Sequence, residues 1–262
     1  MDHAFVIPAY GNSPYLVECL ASLKCQRGPK SHLAIATSTP SDEIARLAKE
    51  QGVPLHVNPV RAGIGGDWNF ALTCVGTRFV TLAHQDDLFH EDYVERMREA
   101  IQGVPDLLMA FSDYDEIDTS GPRAPHANLR VKRFLTRRAF AGRTAITARR
   151  DKRRMLAWGN PVCCPSVILD RSRLASFRFD ETMGSNLDWE AWLRLADEPG
   201  QFVYVEQPLV IRRIHPASET TALIADTRRI AEDRAMFRRI WPAPIAALIL
   251  GVYRASYFAN RT

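Results

Sequence analysis

The chain is poor in the features that mark most specialised proteins. Cysteine is scarce, five in 262 residues, an odd number with no C-x-x-C pair. That argues against a disulfide framework and for a reducing, cytoplasmic compartment. There is no G-x-G-x-x-G, no G-x-x-x-x-G-K-[ST], no G-x-S-x-G and no H-E-x-x-H. A dinucleotide fingerprint, a P-loop, a nucleophile elbow and a zincin site are therefore unsupported. Zinc-ligand spacing, RNP-like aromatics and an obvious helix-turn-helix are missing too. No repeat or low-complexity linker interrupts the chain. The opening Ala4–Pro8 run lacks the basic region and cleavage site of a secretory leader, so none is expected. Ile240 to Tyr253 is uncharged for 14 residues but contains two prolines. It falls short of the roughly 20 apolar residues a membrane span needs.

What is present is ordinary globular material: 46% hydrophobic and 24% charged residues, enough for a large core. The charge is uneven. Thr119 to Arg154 holds twelve Lys/Arg and one acid, Asp151, or +11, while the other 22 basic and 29 acidic residues sum to −7. Such a run is either a solvated helical face or a surface for an anionic partner such as lipid headgroups, a lipid-linked diphosphate or nucleic acid.

Strand-like and helix-like segments alternate through the first half. Strands are expected at Ala4–Pro8, His32–Thr37, Pro54–Asn58, Arg78–Ala83 and Leu107–Ser112. Ser13-Pro14 reads as the start of a helix carrying Leu16, Val17, Leu20 and Leu23. Ser41 reads as the cap of another, with Ile44, Leu47 and Ala48 inward. Gly63–Gly66 reads as a turn into a helix from Asp67, and Tyr93, Val94, Met97 and Ile101 share one helical face. Later come a strand at Pro165–Leu169, a helix at Asn186–Asp197, strands at Gln201–Val205 and Leu209–Arg213, and a helical tail. Short connections between alternating elements predict an α/β fold with a mostly parallel sheet. Ligands of such sheets sit beyond the carboxyl ends of the strands.

Few residues stand out chemically. Asp86 and Asp87 follow the fourth strand, where they could hold Mg²⁺ or Mn²⁺ through hard oxygens or simply shape a turn. Asp188 lies in the first turn of its helix, where the dipole lowers a carboxyl pKa; it is either a general base or merely a favourable first-turn acid. His215, among arginines after a strand, could touch diphosphate or metal, or be an exposed loop histidine. A buried role suits Cys163 and Cys164.

In order along the chain, these pieces resemble the inverting family-2 glycosyltransferases of GT-A fold. Phe5 to Asn12 resembles the family's opening strand, whose Pro-x-Tyr segment lines the nucleotide base; this implies donor contacts for Pro8, Ala9 and Tyr10. Asn58, Gly63–Gly66 and Asn69 look like its Asn-x-Gly…Asn segment and imply the same for Asn58, Gly65 and Asn69. His84-Gln85-Asp86-Asp87 resembles a variant of the DxD motif. It implies Asp87 on the metal and Asp86 on the ribose or the metal. Leu187 to Arg194 resembles the Glu-Asp block, implying Asp188 as catalytic base. Arg213 to Ser218 resembles the late Arg-x-His segment, implying Arg213 and His215 near the diphosphate, His215 also near the metal.

Two positions depart from the family pattern. The second strand ends in Ala36-Thr37-Ser38-Thr39, hydroxyls where an acidic pair usually reads the base or ribose, so Thr37 is the donor candidate there and the base is open. Leu187 replaces the Glu of the Glu-Asp block.

The resemblance implies a GT-A domain over residues 1–220 and a C-terminal helical extension over 221–262. A nucleotide-sugar half would span 1–118, and an acceptor half with the basic segment 119–220. It implies a nucleotide-diphospho-sugar donor, Mn²⁺ or Mg²⁺, and a saccharide or lipid-linked acceptor. The basic run and apolar tail add an anionic membrane surface or a second subunit as partners, with a place on the inner face of the membrane. Phe111 to Glu116 would line the acceptor side. The rival readings are a non-catalytic anion or nucleic-acid binder and a metal-dependent phosphohydrolase.

Overall fold

A computed structural model of the chain describes residues 2–61, 63–215 and 227–258. Ten strands form one sheet: β1 (His3–Ala9), β2 (His32–Thr37), β3 (Leu55–Val57), β4 (Phe79–Leu82), β5 (Leu88–Phe89), β6 (Leu107–Asp118), β7 (Gly121–Arg123), β8 (Ala145–Ile146), β9 (Val167–Asp170) and β10 (Gln201–Arg213). The path across it is β3-β2-β1-β4-β9-β6-β10-β5, with β7 on β6 and β8 on β10. β1 to β4 pair in parallel, as do β6 and β10. β9 enters antiparallel between β4 and β6, so the sheet is α/β as expected but mixed beyond β4. Because β9 is the reversed strand, β1, β4, β6 and β10 all point the same way. Their carboxyl ends, and the segment leading into β9, meet at one edge.

Helices cover both faces. On one lie α1 (Leu16–Lys24), α2 (Asp42–Gln51) and α4 (Tyr93–Ile101), packing Leu20, Ile44, Tyr93 and Met97 onto β1, β2 and β6. On the other lie α3 (Gly63–Thr73), α6 (Arg149–Leu156), α7 (Leu187–Asp197), α8 (Thr227–Ile240) and α9 (Ala243–Phe258). Trp189 and Trp192 of α7 are fully buried there with Phe237 of α8. Truncating either tryptophan to alanine would cost about 3–5 kcal/mol. α5 (Ala127–Phe140) touches both clusters through Leu129 and Phe140.

Several local expectations are corrected. α1 starts at Leu16 with Tyr15 at its N-cap, not at Ser13; the Ser13 hydroxyl accepts from the Tyr15 N–H at 3.3 Å and donates to Asp86 Oδ1 at 2.8 Å. Val17 faces solvent. The glycines 63–66 are the first turn of α3 itself. Gly65 has a packing reason: a Cβ there would lie 2.9 Å from Glu181 Cα. Gln201–Arg213 is one strand with irregular register around Pro208, not two. β6 runs six residues past Ser112. β5, β7 and β8 are two or three residues long, too short to leave a periodic signal. Ser41 does cap α2, accepting from the Ile44 N–H at 3.2 Å.

The basic run is also less independent than its sequence count. Arg133 pairs with Asp113 and Asp115, Arg137 with Glu206, Arg123 with Asp118, and Arg149 and Arg153 share Asp197. Lys152 is buried and donates to the carbonyls of Glu198 and Gly200. Acids from outside the run thus offset much of its charge. The tail packs inward through Ala246 and Leu250 of α9, with Ile245 and Leu248 outward. Among the described residues, no helix is long and apolar enough to cross a membrane.

Candidate active site

The strand-end edge opens into a cavity of about 390 Å³. Pro8, Ala9 and Tyr10 reach it from the end of β1, His84 to Asp87 from β4, Tyr114 from β6 and Arg212–Arg213 from β10. Gly184 to Asp188 at the start of α7, Asn160 and Val162 to Pro165 before β9, and Lys132 of α5 line it as well. Asp86, Asp87 and Asp188, about a hundred positions apart in the chain, therefore share one chamber.

Two amide hydrogen bonds join the rims of β1 and β4. The Tyr10 N–H donates to Gln85 Oε1 at 3.1 Å, and Gln85 Nε2 donates to the Tyr10 carbonyl at 3.0 Å. The Tyr10 ring is left 59% exposed, free to stack on a flat ligand. At the end of β2 a carboxylate arrives from α3. Ser38 donates to Asp67 Oδ2 at 2.8 Å, and Asn58 Nδ2 donates to Asp67 Oδ1 at 3.4 Å. Ser38, Arg61, Asp67 and Trp68 all line the cavity, and the sequence reading assigned none of them to the site.

The acidic pair is held from several sides. Asp86 accepts from Ser13 and lies 3.1 Å from His215 Nε2. Asp87 Oδ1 accepts from the Arg213 N–H at 2.8 Å, and its Oδ2 is 3.8 Å from His84 Nδ1. The Arg213 guanidinium donates to the Asp86 carbonyl, pairs with Glu18 and lies over the Tyr15 ring. Burial pushes the Asp87 pKa up to about 7, against the Arg213 N–H and the Arg212 charge. Burial also pushes His84 down to about 4, so it brings no compensating charge at neutral pH.

Among the described residues, no cluster of three or more His, Cys, Asp or Glu could hold a metal ion. Protein groups alone make no cage here. The donor set does fit a divalent cation that draws most of its ligands from water and a diphosphate. Asp87 offers one carboxylate oxygen, Oδ2, with no hydrogen bond among the described residues, on a group whose pKa burial raises. Both Asp86 oxygens and His215 are already engaged with protein partners.

Asp188 lies in the first turn of α7. Its Oδ2 accepts from Asn160 Nδ2 at 2.7 Å and its Oδ1 from the Trp189 N–H at 2.7 Å. Burial raises its pKa despite that N–H and the charge of Lys132. The helix dipole suggested a lowered value; desolvation outweighs it. Asn160 is held in turn by the Val162 N–H on its Oδ1. No pattern in the sequence pointed to Asn160.

The other expected donor residues lie outside the cavity wall. Thr37 is buried and bonds Thr39, whose hydroxyl accepts from the Gly11 N–H. Asn58 donates to Asp67 and accepts from the Val60 N–H at 3.1 Å. Asn69 Nδ2 donates to the Phe179 carbonyl and Glu181, while its Oδ1 accepts from the Phe179 N–H at 2.7 Å. With Gly65 it fastens the 179–181 segment to α3. Phe111 to Glu116 forms the end of β6 itself, and only Tyr114 of it lines the cavity. Pro216 to Ser218, the end of the late motif, and the expected boundary at 220/221 fall outside the described residues.

Several solved structures share the fold. The mannosyltransferase PcManGT from Pyrobaculum calidifontis, in complex with GDP-Man and Mn²⁺, superposes with a TM-score of 0.68 at 15% identity, covering 99% of this chain and 70% of that one. S. aureus TarS 1-349 in complex with UDP-GlcNAc gives 0.65 at 14%, covering 95% and 70%. S. aureus TarS gives 0.62 at 16% identity; 95% of this chain is covered, and it spans 42% of that chain's length. At such identities the likeness is one of fold. No curated protein matches the sequence. The profile of "Glycosyl transferase family 2" matches residues 4–174, about two-thirds of the chain, and with the strand-end acids and the GT-A sheet in place, this protein belongs to glycosyl transferase family 2.

Proposed function

We propose that the protein transfers a sugar from a nucleotide-diphospho-sugar to an acceptor hydroxyl with inversion at the anomeric carbon. One observation carries this reading: a single cavity is lined by both the Asp86–Asp87 pair and Asp188. The nucleoside lies along Tyr10, Ser38, Arg61 and Asp67, and its diphosphate reaches Asp87 and Arg213. Asp87 is the residue that would hold Mn²⁺ or Mg²⁺, with Asp86 beside it on the ribose. A bound divalent cation supplies positive charge against the charge that builds on the departing diphosphate.

Asp188 takes the proton of the acceptor hydroxyl as that oxygen attacks from the face opposite the leaving group. Its raised pKa makes it a stronger base than an exposed aspartate. A single displacement inverts the centre, and the activated donor needs no second carboxylate to protonate its leaving group. The Mn²⁺ and GDP-Man complex of PcManGT and the UDP-GlcNAc complex of TarS 1-349 are in keeping with such a donor. Residues 1–118 form the donor half and 119–220 the acceptor half. The acceptor is a saccharide or lipid-linked glycan met at an anionic membrane surface.

A thermal-shift panel of nucleoside diphosphates and nucleotide sugars with Mn²⁺ tests the reading, since a ligand of the native state raises Tm. One class of nucleotide should raise Tm in a Mn²⁺-dependent way. Asp87→Ala should lose that dependence and keep its fold. Unchanged Mn²⁺ dependence in the variant would remove Asp87 from the metal.

A further inference from the structure

Asn160 lines the cavity and makes a direct side-chain hydrogen bond to Asp188. Its Nδ2 donates to Asp188 Oδ2 at 2.7 Å, and its Oδ1 accepts from the Val162 N–H at 3.1 Å. The second bond fixes the sense of the amide. Turned over, the group would set an NH₂ against the Val162 N–H and an oxygen against the carboxylate. The other Asp188 oxygen, Oδ1, is held by the N–H of the next residue in α7, Trp189. One oxygen is thus fixed by the helix itself and the other from a separate segment.

That segment is pinned on both sides of Asn160. Before it, Gly159 has a φ of +130°, and a Cβ there would lie 3.0 Å from the Tyr253 ring of α9. The Trp241 indole donates to the Ala157 carbonyl at 2.8 Å. After it, Pro161 confines the Asn160 backbone to extended conformations. Val162, Cys163 and Cys164 are buried, and the Ser166 hydroxyl donates to the Cys163 carbonyl at 2.8 Å. The amide therefore meets the carboxylate with little further loss of freedom.

The effect of the bond follows from charge. A general base must be ionised before it can take a proton, and burial works against the Asp188 anion. A donor on a carboxylate favours the anion. Lys132 of α5, Arg229 of α8 and Arg212 of β10 are charged groups that also act on Asp188. Burial pushes Lys132 itself down to about 8, and Arg212 faces Glu116 at 3.5 Å. Burial pushes the Cys163 and Cys164 thiols up, so they stay neutral.

We propose that Asn160 is the positioning residue of the Asp188 base: it aims the carboxylate at the acceptor hydroxyl and holds it in the ionised form. This inference rests on the assignment of Asp188 as the base.

The test reads the Asp188 carboxyl directly. The full chain is labelled with carbon-13 at the aspartate side-chain carboxyl and titrated by NMR, the Asp188 signal being the one missing from Asp188→Asn. Asn160→Leu keeps the bulk and removes the donor. It should raise the Asp188 midpoint by about one pH unit, the worth of one charge-assisted hydrogen bond. Asn160→Asp keeps an acceptor for the Val162 N–H, and so the segment, but brings a like charge; the midpoint should rise at least as far. Affinity for UDP and GDP with Mn²⁺, measured by calorimetry, should stay within about twofold of wild type in both variants, a change too small for a lost ligand contact. An unmoved midpoint in both folded variants would reduce Asn160 to packing and overturn the proposal. So would a loss of nucleotide affinity, which would place Asn160 on the donor. Wild-type turnover in Asp188→Asn would overturn the base reading and the positioning role with it, while a shifted midpoint would still record the coupling of the two side chains.

Discussion

Asp188 shows how one side chain is set by its surroundings. The first turn of α7 favours its anion, while burial favours the neutral acid and prevails. Asn160 and the Trp189 N–H hold its two oxygens in a fixed orientation. Asp188→Asn keeps the shape and removes the base. Turnover should fall by roughly 10²- to 10⁴-fold while nucleotide binding, measured separately, stays near wild type. Loss of both together would show that Asp188 contacts the donor instead.

His3 gives a second prediction at this scale. It is buried in β1, with Nδ1 2.8 Å from Ser31 and Nε2 3.1 Å from Thr81. Burial pushes its pKa from 6.5 down to about 3. Between those values the unfolded chain binds a proton that the folded protein refuses. Its contribution is therefore complete above pH 6.5 and is lost as pH falls toward 3, by at most about 1.4 kcal/mol per pH unit. His3→Gln, compared with wild type in urea melts at pH 7 and pH 5, should lose less stability on acidification.

At the scale of elements, α8 clamps the start of α7. Glu232 Oε1 accepts from the Gly184 N–H at 2.7 Å. Its Oε2 accepts from the Ser185 N–H and hydroxyl and from the Asn186 N–H, at 2.9, 2.6 and 2.9 Å. Asn186 also donates to Asp233, and Arg239 pairs with Glu190. The groups so held line the cavity immediately before Asp188. Glu232→Gln leaves one oxygen for four donors. It should cost about 1–3 kcal/mol of stability, read as a lower Tm, and should lower kcat more than it raises the donor KM. An unchanged kcat at lower Tm would reduce the clamp to a purely structural one. Nothing in a helical tail thirty to fifty residues away announces this duty. The charge pattern of the Thr119–Arg154 run was equally misleading by itself, since its acids come from other elements.

At the scale of the molecule, the exposed apolar groups indicate where an anionic bilayer would meet the protein. Val131 and Phe134 of α5 are 54% and 61% exposed, with exposed Arg130 and Arg138 beside them. Leu248 of α9 is 72% exposed. Ala246, Ile249, Leu250 and Tyr253 of α9 pack on the core, so removing the tail would also damage the fold. Phe134→Glu is the better probe. Wild type should sediment with anionic liposomes at low salt and be released as salt rises; Phe134→Glu should bind less. A wild-type protein that ignores such liposomes would end the membrane reading.

Much of the architecture was legible along the chain because it is local. Short apolar runs gave β1 and β2, and a helical stripe gave α7, nearly to the residue, while inward-facing residues at helical spacing placed α2 and α4. Ser41 announced its cap, and the order of the Pro8–Tyr10, Asp86–Asp87 and Asp188 segments announced a family. Short strands such as β5 and β8 carry no period, and a hydroxyl such as that of Ser13 reaches a carboxylate far along the chain. Only the tertiary structure reversed β9, set Gly65 and Asn69 against the 179–181 segment, and brought Asp67 to the end of β2. It alone set the pKa directions of Asp87, Lys132 and Asp188. Desolvation and charge act through space, between groups that the sequence keeps tens of positions apart.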